Sequence, residues 1–298
     1  MPRVNLAGVF PPIPTPFLDE AVDHRALAGN VSRWMQTRLA GLVVLGSNGE
    51  APLLDEAESD AVLETARANM PPDRTLIAGV GRESTAATIE AARRAARIGA
   101  DAVLVRTPSY YKNMMTGDAF VRHYTAVADA SPLPVLLYNV TMYTGVNLLP
   151  DIVERLAGHA NIAGMKESSA DVVQLSETIA RTPDDFTVLC GSAAAYYHAL
   201  AAGADGAVLA ISAVLPDMCV EIFDLVRAQR HADALALQRR LAPLGRLLGA
   251  VNGVAGLKYA LDQLGYAGGP TRPPLGPVPA DRQQQIREEL AALGTPVG

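Results

Sequence analysis

The chain reads as an α/β protein, a (β/α)8 TIM barrel with a C-terminal helical extension, and three observations predict this. Short apolar, β-branched runs recur along the first part of the chain, each followed by a loop and a longer Ala/Leu-rich stretch. Those runs are apolar almost throughout rather than alternating, as expected of strands buried on both faces of a parallel sheet. Eight such units fill about 215 residues, close to the roughly 250 of a (β/α)8 barrel. A doubly wound open sheet would share the alternation, but no GxGxxG follows the first run.

In order, strands are predicted at "LAGVFPPIPT" (6–15), "GLVVLG" (41–46), "RTLIAGV" (74–80) and "GADAVLVRT" (99–107). The remaining four are "PVLLYNV" (134–140), "NIAGMKE" (161–167), "FTVLCGS" (186–192) and "GADGAVLAIS" (203–212). Helical patterns lie between them, including "HRALAGNVSRWMQTRL" (24–39), "DEAESDAVLETARANM" (55–70) and "STAATIEAARRAARIG" (84–99). The second opens on Asp55 with Glu58 three residues later, a capping-box spacing. The third ends at Gly99, which suits a helix C-cap before the next strand. From about Pro216 only helical patterns remain, at 217–249, 256–269 and 280–294. The expected division is therefore a barrel over residues 1–215 and a helical extension over 216–298, with no low-complexity linker between them.

Composition narrows the function classes. With 49% hydrophobic but only 5% aromatic residues, the core must be built from Ala, Val and Leu. A net charge of −6 argues against nucleic acid, whose recognition needs a basic face. Cys190 and Cys219 offer no disulfide framework, and neither sits in a CxxC. Gly8 and the prolines at 11, 12, 14 and 16 interrupt any leader-like apolar run, and no window approaches a membrane span. A cytoplasmic protein is expected.

In a barrel of this kind chemistry belongs to the C-terminal ends of the strands. There the sequence places Ser47, Asn48, Gly49 and Glu50 after strand 2, and Tyr110 and Tyr111 after strand 4. Tyr138, Asn139 and Tyr143 follow strand 5, Lys166 and Ser168 strand 6, and Gly191 and Ser192 strand 7. Hydroxyls, an amide, phenols and one amine are not the His/Asp/Glu set a divalent metal wants. The five histidines fall mostly within helical patterns. No metal and no separate cofactor are expected. Lys166 is the conspicuous residue, because charged lysine is rarely found in a dry strand without a partner. It could pair with Glu167, reach outward to water, or act as a nucleophile. Burial disfavours the ammonium form of an amine, and the neutral form attacks a carbonyl to give a Schiff base. A phenol one strand away, Tyr138, could then carry protons. Gly46 and Gly49 would let the strand-2 loop approach a ligand with exposed N–H groups. Spacing alone leaves the choice between structural and catalytic lysine open.

"PPIPTPF", "GSNGE", "GADAVLVRTPSYY", "PVLLYNV", "IAGMKESS", "GADGAVLA" and "GLKYALDQLGYAGGPTRPPL" occur in this order nearly end to end. In that order they resemble the pyruvate-dependent class I aldolase superfamily, which includes dihydrodipicolinate synthase and N-acetylneuraminate lyase. The resemblance implies that Lys166 forms the Schiff base, that Tyr138 is the proton shuttle, and that Ser47, Asn48 and Gly49 hold the pyruvyl carboxylate. It also implies that Gly191, Val208 and Ser168 complete the substrate-binding wall. Tyr110 would reach into a neighbouring subunit's site, in a homotetramer built as a dimer of dimers.

Within the superfamily, dihydrodipicolinate synthases usually carry two threonines in the strand-2 loop and an arginine after strand 5. Here the loop reads Ser47-Asn48, Tyr143 stands where the arginine would be, and Thr141 replaces the usual proline. Loss of that carboxylate clamp argues against aspartate semialdehyde as substrate. N-acetylneuraminate lyases resemble the same loop less. "GSNGE", "KESS" and "GLK…GYAGGP" look most like 4-hydroxy-2-oxoglutarate aldolase, which splits its substrate into pyruvate and glyoxylate, with Ser168 bonding the hydroxyl or the far carboxylate. The alternatives are the synthase, a dehydratase on the same scaffold, and a non-catalytic pyruvate-type ligand-binding protein. Arg106 is expected to pair with an acid at the barrel rim, and phosphosugars are disfavoured for want of a phosphate-binding signature.

Overall fold

The computed structural model describes residues 4–295, so the first three residues of the interrupted apolar start lie outside it. Eight parallel strands form one sheet: β1 (Gly8–Phe10), β2 (Gly41–Val44), β3 (Thr75–Gly79), β4 (Ala102–Arg106), β5 (Val135–Asn139), β6 (Ile162–Glu167), β7 (Thr187–Cys190) and β8 (Gly206–Val208). Each pairs with the next in sequence from β2 to β8, and β8 pairs with β1. The barrel closes between β1 and β2 through Ala40 N–H to Val9 O, Val43 N–H to Pro11 O and Ile13 N–H to Val43 O, each 3.0 Å. The first strand was expected over 6–15, but its regular ladder stops at Phe10. Pro11 and Pro12 have no N–H to donate, so the seam continues only as scattered bonds.

The strands alternate with α1 (His24–Trp34), α2 (Glu56–Ala68), α3 (Thr85–Ile98), α4 (Gly117–Ala130), α5 (Pro150–Ala157), α6 (Val172–Arg181), α7 (Tyr196–Ala201) and α8 (Pro216–Arg227). The predicted starts and stops are visible in atoms. Asp55 accepts from Glu58 N–H while Glu58 accepts from Asp55 N–H, and Gly99 takes the left-handed C-cap at φ 100°. Pro216–Arg227 falls inside the expected extension but takes the place of the eighth barrel helix; beyond it run α9 (His231–Arg246), a π-helical turn (Leu247–Val251), α10 (Gly253–Gln263) and α11 (Ala280–Ala292). Among the described residues no helix is long and apolar enough to cross a membrane.

The core has two layers. Phe10, Val43, Ile77, Leu104, Leu136, Leu189 and Val208 fill the barrel interior. A larger layer between strands and helices holds Leu42, Val103, Val105, Leu137, Met165 and Val188, and continues into Leu257, Leu261 and Leu290 of the extension. Each fully buried aliphatic side chain stabilises by about 1.5–3 kcal/mol, so barrel and extension share the same burial term. Trp34 ties them further. Its indole N–H donates to Ala213 O at 2.9 Å, and its ring stacks on Tyr266 at 5.2 Å.

A strand's side chains alternate between faces, and that rule fixes β6. Met165 belongs to the outer layer, so Lys166 must face the barrel interior and Glu167 must face out again.

Candidate active site

Tyr138 and Lys166 are register partners on neighbouring strands β5 and β6. Both are nearly dry, at 5% and 4% exposure. The Lys166 Nζ lies 4.2 Å from the centre of the Tyr138 ring, and the Tyr138 hydroxyl is 3.3 Å from Ser47 Oγ. The three residues expected to share the chemistry are therefore in contact.

Glu167 is not the partner of Lys166. Its carboxylate accepts from Asn139 Nδ2 at 2.8 Å, Gln174 Nε2 at 2.9 Å and the Ser169 N–H at 2.7 Å. Asn139 in turn accepts from the Leu148 N–H at 3.0 Å. This outward-facing network satisfies Glu167 completely. Among the described residues Lys166 makes no hydrogen bond and no ion pair. An amine that no carboxylate engages, set beside a phenol, is placed to attack a carbonyl carbon in the cavity.

The strand-2 loop opens on a 3-10 turn, Ser47–Gly49, and a second follows at Ala51–Leu53. The first turn's own hydrogen bonds are donated by Gly49 to Gly46 O (3.0 Å) and Glu50 to Ser47 O (3.2 Å). The N–H groups of Ser47 and Asn48, at the open start, have no acceptor within the turn. Leu45 and Glu50 flank it at φ 60° and 54°, a left-handed conformation that persists in non-glycine residues only when surroundings enforce it. The enforcing contact was not foreseen. Buried Glu50 lies 2.5 Å from Lys258 Nζ of α10 and accepts from the Arg272 N–H at 2.9 Å. Lys258 also donates to Pro270 O at 2.7 Å. Burial pushes the Lys258 ammonium down, and the Glu50 charge opposes that shift. The only sequence signal was a lysine on an apolar helix face in "GLKYALDQL".

Gly191 makes room for the site. A Cβ there would fall 1.8 Å from Ser168 Oγ and 3.0 Å from Lys166 Cε. Ser168 Oγ is buried and has no hydrogen-bond partner among the described residues, an unusual state for a hydroxyl beside a cavity. That cavity, of about 280 Å3, is lined by Ser47, Asn48, Tyr138, Tyr143, Lys166, Ser168, Gly191, Val208 and Arg246, among others. It brings together every expected wall residue except Gly49, which is buried behind the turn, and Tyr110.

Tyr110 and Tyr111 lie outside their own cavity, 78% and 70% exposed, and meet edge to face at 5.0 Å. Arg106 pairs with Glu83 at 2.7 Å, the rim ion pair the sequence suggested. Glu83 also accepts from the Ser109 and Tyr110 N–H groups at 2.8 and 2.9 Å, which fixes the base of the tyrosine loop. Burial pushes the Glu83 carboxyl up. The two N–H donors and Arg106 outweigh it, so the group titrates below the usual carboxylate range. Among the described residues no group of three His, Cys, Asp or Glu side chains could hold a metal ion. Burial pushes the thiol of Cys190, the last residue of β7, up to about 12, which keeps it protonated and inert.

Comparison with known proteins agrees with this geometry. A model of the dihydrodipicolinate synthetase family matches residues 5–293. The 4-hydroxy-tetrahydrodipicolinate synthase of Methanothrix thermoacetophila is 36% identical over 293 residues, 98% of each chain. That of Xanthomonas axonopodis pv. citri is 36% identical over 290 residues, covering 97% of this chain and 95% of the relative. Among solved structures, dihydrodipicolinate synthase from Thermotoga maritima superposes with a TM-score of 0.93 at 29% identity, over 97% of this chain and 98% of that one. The chloride-inhibited synthase from Acinetobacter baumannii, complexed with pyruvate, gives 0.92 at 30% identity, over 97% and 99%. The chain belongs to the dihydrodipicolinate synthetase family, and is a carbon–carbon lyase of the metal-independent class I aldolase type.

Proposed function

We propose that the chain holds pyruvate as a Schiff base on Lys166 and joins it reversibly to an aldehyde that carries its own carboxylate. The observation that carries this reading is Lys166 itself, a buried amine with no anion beside it, set against a phenol that touches Ser47. The amine adds to C2 of pyruvate, and the carbinolamine loses water to give the iminium. A C3 proton leaves, and the resulting enamine attacks the aldehyde carbon. The alkoxide takes up a proton, and water hydrolyses the imine, releasing a 4-hydroxy-2-oxo acid and the free amine. Tyr138 is the shuttle for these protons, and the Ser47–Gly49 turn faces the pyruvyl carboxylate.

Two acceptors fit. The names of the relatives favour the synthase reaction with aspartate semialdehyde, which reverses the order in which the sequence ranks the two. Cleavage of 4-hydroxy-2-oxoglutarate is the second reading, supported by the unpartnered Ser168 hydroxyl and by Tyr143 in the strand-5 loop. The protein is read as cytoplasmic from the interrupted apolar start of its sequence. It is read as a homotetramer, because Tyr110, Tyr111 and Met114 are exposed large apolar side chains close together in the chain after β4. Sedimentation as monomer alone would sink that part.

The test is incubation with pyruvate, borohydride reduction and peptide mapping. A reduced pyruvyl adduct on Lys166 is expected, absent in Lys166→Ala. Tyr138→Phe should slow turnover by on the order of a hundredfold. An unmodified Lys166 in folded protein would overturn the mechanism. Turnover with aspartate semialdehyde against glyoxylate then separates the two acceptors.

A further inference from the structure

The strand-5 loop offers no cation for a second carboxylate, because Tyr143 occupies the position. The cavity nevertheless contains one. Its lining includes two cationic side chains, Lys166 and Arg246, and no Asp or Glu. Lys166 is committed to the ketone. Arg246, the last residue of α9, is exposed and makes no hydrogen bond or ion pair among the described residues.

Its placement is built rather than incidental. Gly245 packs so closely on the loop after β7 that a Cβ there would lie 2.7 Å from the Ala193 Cβ. Two turns earlier on the same helix, Gln238 donates to Ala193 O at 2.8 Å and accepts from the Tyr197 N–H at 3.2 Å. These contacts fix both the rotation and the height of α9 against the barrel mouth. Immediately after Arg246 the backbone leaves α-helical spacing for the π turn Leu247–Val251, a local irregularity that often marks a working site. Ser168, Ser169, Ser192 and Thr141 line the same cavity, and none of them can neutralise a guanidinium.

We infer that Arg246 is the specificity residue for the aldehyde partner, and that its ligand is a terminal carboxylate on that aldehyde. An arginine fork matches a carboxylate with two parallel charge-assisted bonds. The clamp thus comes from the C-terminal extension instead of the strand-5 loop, which removes the sequence-based objection to a carboxylated acceptor. The inference rests on the proposed function above and adds to it the residue that reads the acceptor's carboxylate.

The experiment measures kcat/KM with pyruvate against a panel of aldehydes: aspartate semialdehyde and glyoxylate, uncharged acetaldehyde and propanal, and glyceraldehyde 3-phosphate. In Arg246→Gln, kcat/KM with the carboxylated aldehydes should fall about tenfold to a hundredfold, the range of a lost charge-assisted bond. With the uncharged aldehydes it should change less than about twofold on the same scale. Arg246→Lys, which keeps the charge, should recover part of the loss, and Arg240→Gln, exposed on the same helix, should show none. Equal losses on charged and uncharged aldehydes, or no loss at all, would overturn the assignment. So would a preference of the unmodified protein for the phosphorylated aldehyde. If Arg246→Gln does not fold, Arg246→Lys decides: it must favour carboxylated over uncharged aldehydes as the unmodified protein does, and loss of that preference counts against the proposal. Borohydride trapping on the unmodified protein keeps the two failures apart. No adduct defeats the Schiff-base reading, whereas an adduct without discrimination at residue 246 defeats only this one.

Discussion

At the scale of single residues, the site depends on what surrounds Lys166 as much as on the lysine. Glu167, adjacent in sequence, is drawn away by Asn139, Gln174 and Ser169, so the amine keeps no counter-ion. Gly191 then gives the amine and Ser168 the space they occupy. Gly191→Ala would put a methyl group 1.8 Å from Ser168 Oγ and 3.0 Å from Lys166 Cε, and both side chains must move. A misplacement of about 1 Å at a reacting centre can cost on the order of a hundredfold. Borohydride trapping should therefore show at least about a tenfold slower adduct in Gly191→Ala, with the melting temperature measured alongside. An unchanged trapping rate would mean that the strand-6 end yields more easily than its packing implies.

At the scale of elements, the α3–α4 layer contains a titratable group that the chemistry does not use. His123 of α4 is buried, with Nδ1 2.9 Å from Thr85 Oγ1 of α3 and Nε2 without a partner among the described residues. Burial pushes the imidazole down to about 4, and Glu83 opposes this weakly. Because the folded value lies below the unfolded one, the unfolded chain binds a proton more readily. Stability from this group is complete above about pH 6.5 and is lost as pH falls toward about 4. The loss is of order 3 kcal/mol at most. Urea unfolding at pH 7.5 and 4.5 should show a smaller drop in His123→Gln than in the unmodified chain, and equal drops would refute the assignment. In the sequence His123 was one of five histidines that fall mostly within helical patterns, with nothing to distinguish a buried one.

At the scale of the molecule, the C-terminal extension holds the active-site loop in place. Glu50 sits in a left-handed conformation directly after the Ser47–Gly49 turn. Its carboxylate is held by Lys258 and the Arg272 backbone, more than two hundred residues further along. Arg272 also grips Glu58 of α2 through two bonds of 2.7 and 2.6 Å. Removing one partner of a buried pair leaves an uncompensated charge, at about 3–5 kcal/mol. Lys258→Met should lower the unfolding free energy by that order in urea titration and weaken pyruvate trapping. The double variant Glu50→Gln, Lys258→Met should recover part of the stability. A Lys258→Met protein as stable as the parent would show that Glu50 is neutral or hydrated.

The sequence by itself determined the strand–helix alternation, the helix ends at Asp55 and Gly99, and the order of hydroxyl, phenol and amine at the strand ends. These are local: periodicity, capping chemistry and a two-residue alternation are written in consecutive residues. Only the tertiary structure decided which groups meet. It joined Glu167 to Asn139 and Gln174, brought Lys258 onto Glu50, and carried Arg246 from the extension to the mouth of the barrel. The physical reason is that a pair's energy depends on distance and burial, and residues far apart in the chain acquire both only when the barrel closes and the last helices pack against it.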